Sequence, residues 1–200
     1  MPVTVTWPRA STTRHEDGNE LGVLMAHDAA SSAVAIAAAT VVAVLLMMLG
    51  EAVLSAHNER LLRARGAIEP PDDVIDTMRW AYPGSFVAMA VEGAWAGPVS
   101  ADALAAGLAV FGFAKALKIW AISTLGTRWT FRVLVLPNAP LIARGPYARL
   151  RHPNYVAVMG EIIGVALIVW APVTGVLSLV GFGWLLRRRM AVEDRALGRQ

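Results

Sequence analysis

Between Leu136 and Tyr155 the chain reads LPNAPLIARGPYARLRHPNY, a crowded run of groups able to bind or transfer charge. Arg144, Arg149, Arg151 and His152 supply cationic donors, and Tyr147 and Tyr155 add aromatic faces and hydroxyls. Gly145-Pro146 and His152-Pro153 break helix on either side, so Tyr147 to Arg151 is held to a turn or two between bends. Arginine and histidine donors suit an anionic ligand with hydrogen-bonding oxygens. Two readings follow from composition: a basic loop gripping lipid phosphates, or a small-molecule site.

The elements that must position this segment are apolar. The 200 residues are 56% hydrophobic and only 16% charged, with a mean hydropathy of +0.51. That leaves too little polar surface for a soluble domain of this size. A helix of about 20 apolar residues crosses a bilayer core, and five segments are predicted to do so: residues 29–50, 81–96, 102–120, 156–170 and 173–186. The second is interrupted by Pro83 and Glu92, and the third ends at Lys115 and Lys118, whose long stems reach toward a headgroup layer. The last two are joined by Ala171-Pro172 as a tight helical hairpin. The expected fold is all-α and polytopic: one membrane domain over 29–200, preceded by a mobile polar tail over 1–28.

Charge placement agrees with five spans. Of the 18 Lys and Arg, all but Arg9 and Arg14 fall on one side if the N-terminus lies outside, as the positive-inside rule requires. The GPYARLRHPNY segment and the C-terminus are then cytoplasmic. Tryptophans at 80, 95, 120, 170 and 184 fall at or near span ends, as aromatic belts do. Within the loop after the first span, Pro70-Pro71 stop one helix and Asp72 or Asp73 is expected to cap the next.

Several function classes are disfavoured. With a net charge of only +3 and basic residues in loops between apolar runs, nucleic acid is not an expected partner; membrane lipids are. There is no cysteine, and the four histidines are far apart, so no metal site is expected. Gly181 and Gly183 form a GxG pattern inside an apolar span with no strand before it, so a dinucleotide fingerprint is absent.

RGPYARLRHPNY followed by an apolar helix resembles the signature of the isoprenylcysteine carboxyl methyltransferase family and its phospholipid methyltransferase relatives. The similarity extends through Leu125-Gly126, Trp129 and Arg132-Val133, continues to Glu161, and returns in Arg189-Met190-Ala191-Val192-Glu193-Asp194. The N-terminal half is similar more loosely, through Glu51, Asn58-Glu59-Arg60 and Arg65-Gly66. Asp194 departs from the family pattern, which has a second Glu there, and relatives often run on with a further helix.

The resemblance implies an S-adenosylmethionine-dependent methyltransferase with its cofactor at the cytoplasmic membrane face. It also implies Tyr147, Arg151, His152, Pro153, Tyr155, Glu161 and Glu193 as cofactor contacts, with Arg151 and His152 as the catalytic pair. For Arg189 and Glu193 an i,i+4 ion pair competes with a ligand role. For Glu161 the competing reading is an interhelical hydrogen bond; in either case it faces the protein interior. Glu92 is read as interfacial and His57 as solvated. A lipophilic acceptor, bearing a prenylcysteine-type carboxylate or the hydroxyl of a small lipid such as an alkylpyrone or alkylresorcinol, would reach the site from the bilayer. Similarity to bacterial members implies the cytoplasmic membrane. The rivals are an NADPH-dependent reductase of the sterol type and a non-enzymatic membrane scaffold.

Overall fold

The computed structural model describes Met1, residues 13–71 and residues 73–198, with side chains of the first helix from Leu24 on. Five α-helices follow one another: α1 (Thr13–Ala64), α2 (Ile75–Ala96), α3 (Ala101–Leu125), α4 (Pro153–Ile168) and α5 (Pro172–Ala196). Two 3-10 turns, Gly126–Arg128 and Gly145–Ala148, lie in the link from α3 to α4. Among the described residues the only extended pairing is the bridge between Ile68 and Val135. The all-α expectation holds.

Four of the five predicted segments lie within single helices, and α2 runs unbroken through Pro83 and Glu92. The segment 156–170 overruns its helix. α4 stops at Ile168 because Trp170 turns left-handed (φ 52°), while Ala171 N–H returns to Ala166 O at 2.8 Å, a Schellman-type ending. α1 begins at Thr13, so part of the 1–28 segment is helical; residues 2–12 lie outside the described residues. Among the described residues two stretches, Leu24–Ala64 and Ala101–Arg128, are long and apolar enough to cross a membrane.

Small residues let two of these helices meet backbone to backbone. A Cβ on Gly164 would lie 2.7 Å from Phe111 N, and one on Gly107 2.7 Å from Ile168 N. Either would force α3 and α4 apart, which is why glycine serves here, as it does between membrane helices. The core is built by Val44, Phe86, Met89, Ile162, Val165 and Leu186 from α1, α2, α4 and α5. The outward faces stay apolar: Leu46, Val53, Val87, Phe113, Val176 and Val180 are exposed, a surface suited to lipid rather than water. Trp80, Trp95, Trp120, Trp170 and Trp184 are exposed as well.

Three polar expectations need correction. Lys118 does not reach outward: it is 2% exposed, and with Lys115 it is paired to Glu51 and Glu161. The carboxylates inside the bundle draw the ammonium groups inward. Asp73 does not cap α2, whose N-cap is Val74; its carboxylate is taken by Arg189. Asp72 lies outside the described residues. Glu92 is more than interfacial, since its carboxylate accepts from Val173 N (2.9 Å), Thr174 N (2.6 Å) and the Thr174 hydroxyl. It caps the first turn of α5 from a neighbouring helix. Glu92→Ala should therefore cost about 1 kcal/mol, in the range of a lost N-cap, and lower the thermal unfolding midpoint in detergent. An unchanged midpoint would remove this role.

Candidate active site

The Gly145–Tyr155 segment is folded by local rules. Gly145 is left-handed (φ 57°), and a Cβ there would lie 2.6 Å from Thr124 Oγ1 and 3.3 Å from Trp120 Nε1. Only glycine makes this turn against the end of α3. Pro146 is buried, and its carbonyl accepts from Arg149 N (3.2 Å) and Leu150 N (2.9 Å). His152 is the N-cap of α4, and buried Pro153 takes the first helical position, where a missing N–H costs nothing.

Beyond the hairpin, α5 brings Arg189, Glu193 and Asp194 to this turn. The Tyr155 hydroxyl donates to Glu193 Oε2 (2.7 Å) and accepts from Arg189 Nε (2.9 Å). Arg189, 5% exposed, also donates to Asp73 Oδ1 (2.9 Å) and to the Phe131 carbonyl. The direct Arg189–Glu193 ion pair considered from spacing is not made, because the Tyr155 hydroxyl sits between them.

The His152 ring stacks on Tyr155, centroids 5.4 Å apart, with Nδ1 3.6 Å from Glu193 Oε2. The Glu193 carboxylate raises His152 above its ordinary 6.5, against burial, which pulls it down. For Glu193 itself burial pushes upward, but His152 and Tyr155 outweigh it and leave the carboxyl below its ordinary 4.5. Burial, and then the charge of Glu193, raise the Tyr147 hydroxyl, which stays protonated. Each group thus favours the charged form of the other, imidazolium beside carboxylate. His152 Nε2 lies 3.3 Å from Asp194 Oδ1 but is not aligned for a hydrogen bond. These two atoms and Asn154 Oδ1 are buried without a partner.

A cavity of about 550 Å³ opens here, lined by Tyr147, Arg151, His152, Tyr155, Arg189 and Glu193 among others. Its volume falls within the range of small-molecule sites. Arg151 is exposed on the rim and makes no ion pair among the described residues. A second, more apolar groove of about 560 Å³ runs along α4 and α5 past Val156, Met159, Val180 and Trp184, and shares Arg151, His152 and Tyr155 with the first. The structure thus gathers Tyr147, Arg151, His152, Tyr155 and Glu193, with Pro153 fixing the helix start beneath them. Glu161 is not brought there. It is fully buried, hydrogen-bonded by Tyr82 and paired with both lysines.

Sequence reasoning missed the wall opposite. Residues 129–136 and 139–142 line the cavity and are tied to the end of α1: Asn58 Nδ2 donates to Trp129 O (2.8 Å), and Phe131 N donates to Ser55 Oγ (2.8 Å). Arg132 reaches Glu69 at 2.7 Å, and Val133 N reaches Asp73 at 3.2 Å. The signals at hand were Asn58, which is buried beside Ser55, and the family resemblance through Trp129 and Arg132-Val133, which carried no role for these residues.

Among the described residues the molecule is all-helical, with two helices long and apolar enough to cross a membrane, an apolar exterior and a cavity lined in part by charged side chains. Residues 106–199 match the model of the isoprenylcysteine carboxyl methyltransferase (ICMT) family, the family that the two motifs resemble. The uncharacterized protein YpbQ of Bacillus subtilis is 38% identical over 81 residues, 40% of this chain and 48% of its own length. The match therefore spans about half of that relative. An uncharacterized protein of Haemophilus influenzae is 26% identical over 145 residues, 72% of this chain and 84% of its own. No solved structure matches.

Proposed function

We propose that the protein is an S-adenosylmethionine-dependent O-methyltransferase acting on a lipophilic acceptor at the membrane interface. One observation carries the reading: two motifs far apart in sequence supply Arg151, His152, Tyr155 and Glu193 to one cavity. The donor set fits the cofactor. It offers cations for a carboxylate, a carboxylate for an ammonium or ribose hydroxyls, and tyrosine faces for a sulfonium or adenine. The unpartnered His152 Nε2, Asn154 Oδ1 and Asp194 Oδ1 are groups that a polar ligand would satisfy.

When bound, S-adenosylmethionine supplies a methyl group on a sulfonium, transferable by in-line displacement. The chain's own work is positioning and exclusion of water. Arg151 and protonated His152 orient a carboxylate, Glu193 accepts from an ammonium or ribose, and Tyr155 fixes Glu193 by its hydroxyl. A carboxylate acceptor needs no base. His152 serves as a charged donor, its protonated form being favoured by Glu193. The groove along α4 and α5 suits the acceptor's hydrocarbon tail. In this reading the five helices cross a bacterial inner membrane with the site on the cytoplasmic side, supported by the one-sided Lys and Arg distribution. The acceptor bears a prenylcysteine-type carboxylate or the hydroxyl of a small lipid.

Titration calorimetry of the purified protein with S-adenosylhomocysteine and, separately, NADPH tests the reading. Binding of S-adenosylhomocysteine alone is expected, followed by label transfer to lipid from a radiolabelled methyl donor. Binding of NADPH alone would overturn it.

The His152–Glu193 pair also fixes a pH dependence. Its stabilising contribution through His152, whose folded value is raised, is complete below about pH 6.5 and is lost as pH rises through that folded value. Through Glu193 it is present above about pH 4.5 and lost as pH falls through the lowered folded value. S-adenosylhomocysteine affinity should therefore weaken on the alkaline side, and His152→Gln should flatten that limb. An alkaline limb that persists in the variant would assign it elsewhere.

A further inference from the structure

Two carboxylates and two ammonium groups close a ring inside the bundle. Lys115 Nζ lies 2.9 Å from Glu51 Oε1 and 3.1 Å from Glu161 Oε1. Lys118 Nζ lies 2.6 Å from Glu51 Oε2 and 3.2 Å from Glu161 Oε2. Each carboxylate oxygen has one ammonium partner, and the four charges cancel. Tyr82 donates its hydroxyl to Glu161.

The ring is also part of a cavity wall. Glu51, Tyr82 and Lys118 line the same cavity as His152 and Glu193, with apolar Met78, Val158 and Phe182 also on its wall. Glu161 is six residues beyond Tyr155, so along α4 the ring is set about 9 Å from the Tyr155 level. An ammonium carries three donors; Lys115 hydrogen-bonds Glu51 Oε1 and Lys118 hydrogen-bonds Glu161 Oε2, the other two contacts are ion pairs, and Glu161 Oε1 is buried without a hydrogen-bond partner. Lys115 stands over Phe111 and does not line the cavity. Lys118 does line it, with the Tyr82 ring 5.5 Å away. A buried ion ring adds little stability over apolar packing, whereas a donor facing an apolar cavity gives a ligand its orientation.

We propose that the Glu51–Lys115–Lys118–Glu161 ring, with Tyr82, forms a second polar subsite that takes the acidic oxygen of a long-chain amphiphile on Lys118. The ligand is an oxygen acid, a carboxylate or acidic hydroxyl, with its chain along Leu45, Met48 and Leu49. A cationic head finds Lys118 facing it and both Glu51 oxygens already engaged. A neutral alcohol gains only a weaker, uncharged hydrogen bond. As the acceptor site this rests on the methyltransferase reading; as a binding site it does not.

The test titrates the full-length protein in neutral detergent with dodecanoate, dodecanol and dodecylamine, following occupancy by native mass spectrometry. Dodecanoate should bind about tenfold more tightly than the other two, as one charge-assisted hydrogen bond allows. Lys118→Met should abolish the preference, and so should Lys118→Met combined with Glu161→Gln, which leaves Lys115 and Glu51 as a balanced pair if the single variant unfolds. S-adenosylhomocysteine affinity should stay unchanged in both. Equal binding of the three amphiphiles to the unaltered protein, or a preference surviving in either variant, overturns the subsite. Dodecanoate selectivity without S-adenosylhomocysteine binding leaves the subsite standing and removes the methyltransferase reading; the converse result does the opposite.

Discussion

Replacing Arg189 with methionine should destabilise the protein by about 3–5 kcal/mol, the range for breaking one side of a buried ion pair. The guanidinium is 5% exposed and joins three parts of the chain: Asp73 before α2, the Phe131 carbonyl in the α3–α4 link, and the Tyr155 hydroxyl on α4. Methionine fills much of the volume but leaves Asp73 as an uncompensated charge. Asp73→Asn in the same chain should recover part of the loss, because it removes that charge while keeping an acceptor for Val133 N. Thermal unfolding of the four proteins in one detergent gives the coupling. If the two losses simply add, the pair does not act as a unit and the charge argument fails.

The second large effect is on binding. Arg151→Ala should weaken S-adenosylhomocysteine by about 10- to 100-fold, the span of a charge-assisted hydrogen bond in a desolvated site. Because Arg151 is exposed and makes no ion pair among the described residues, its unfolding midpoint should not move. Arg151→Lys should recover only part, since an ammonium lacks the planar fork that grips both oxygens of a carboxylate. Calorimetry reads affinity and thermal unfolding reads the fold. Full affinity in Arg151→Ala would detach this residue from the site.

Much of this site was legible in the sequence because its determinants are local. Gly145-Pro146 and His152-Pro153 state where the backbone must bend, and four of the five apolar segments fall within single helices. The family resemblance correctly joined GPYARLRHPNY to the Arg189–Asp194 element. What escaped was pairing across the bundle. Lys118, four residues before Ile122 on an apolar helix, reads as a snorkelling end, and nothing in its spacing reveals Glu51 and Glu161 facing it. Asp73 reads as a cap because an acid before a helix usually is one; Arg189 claims it from 116 residues away. Glu161 showed its burial by its apolar neighbours but not its partners. Spacing encodes faces, and partners across a bundle depend on helix packing that no short window contains.

The tethering of residues 129–136 to α1 and to the segment between α1 and α2 has a further consequence. Ser55, Asn58, Glu69 and Asp73 hold the cavity wall, yet all precede the matched region 106–199. The inherited segment and the working unit therefore have different borders. A fragment beginning near residue 100 would keep both motifs and lose the supports of the wall facing them, so splitting the chain there should yield two pieces that rebuild the cavity only when expressed together.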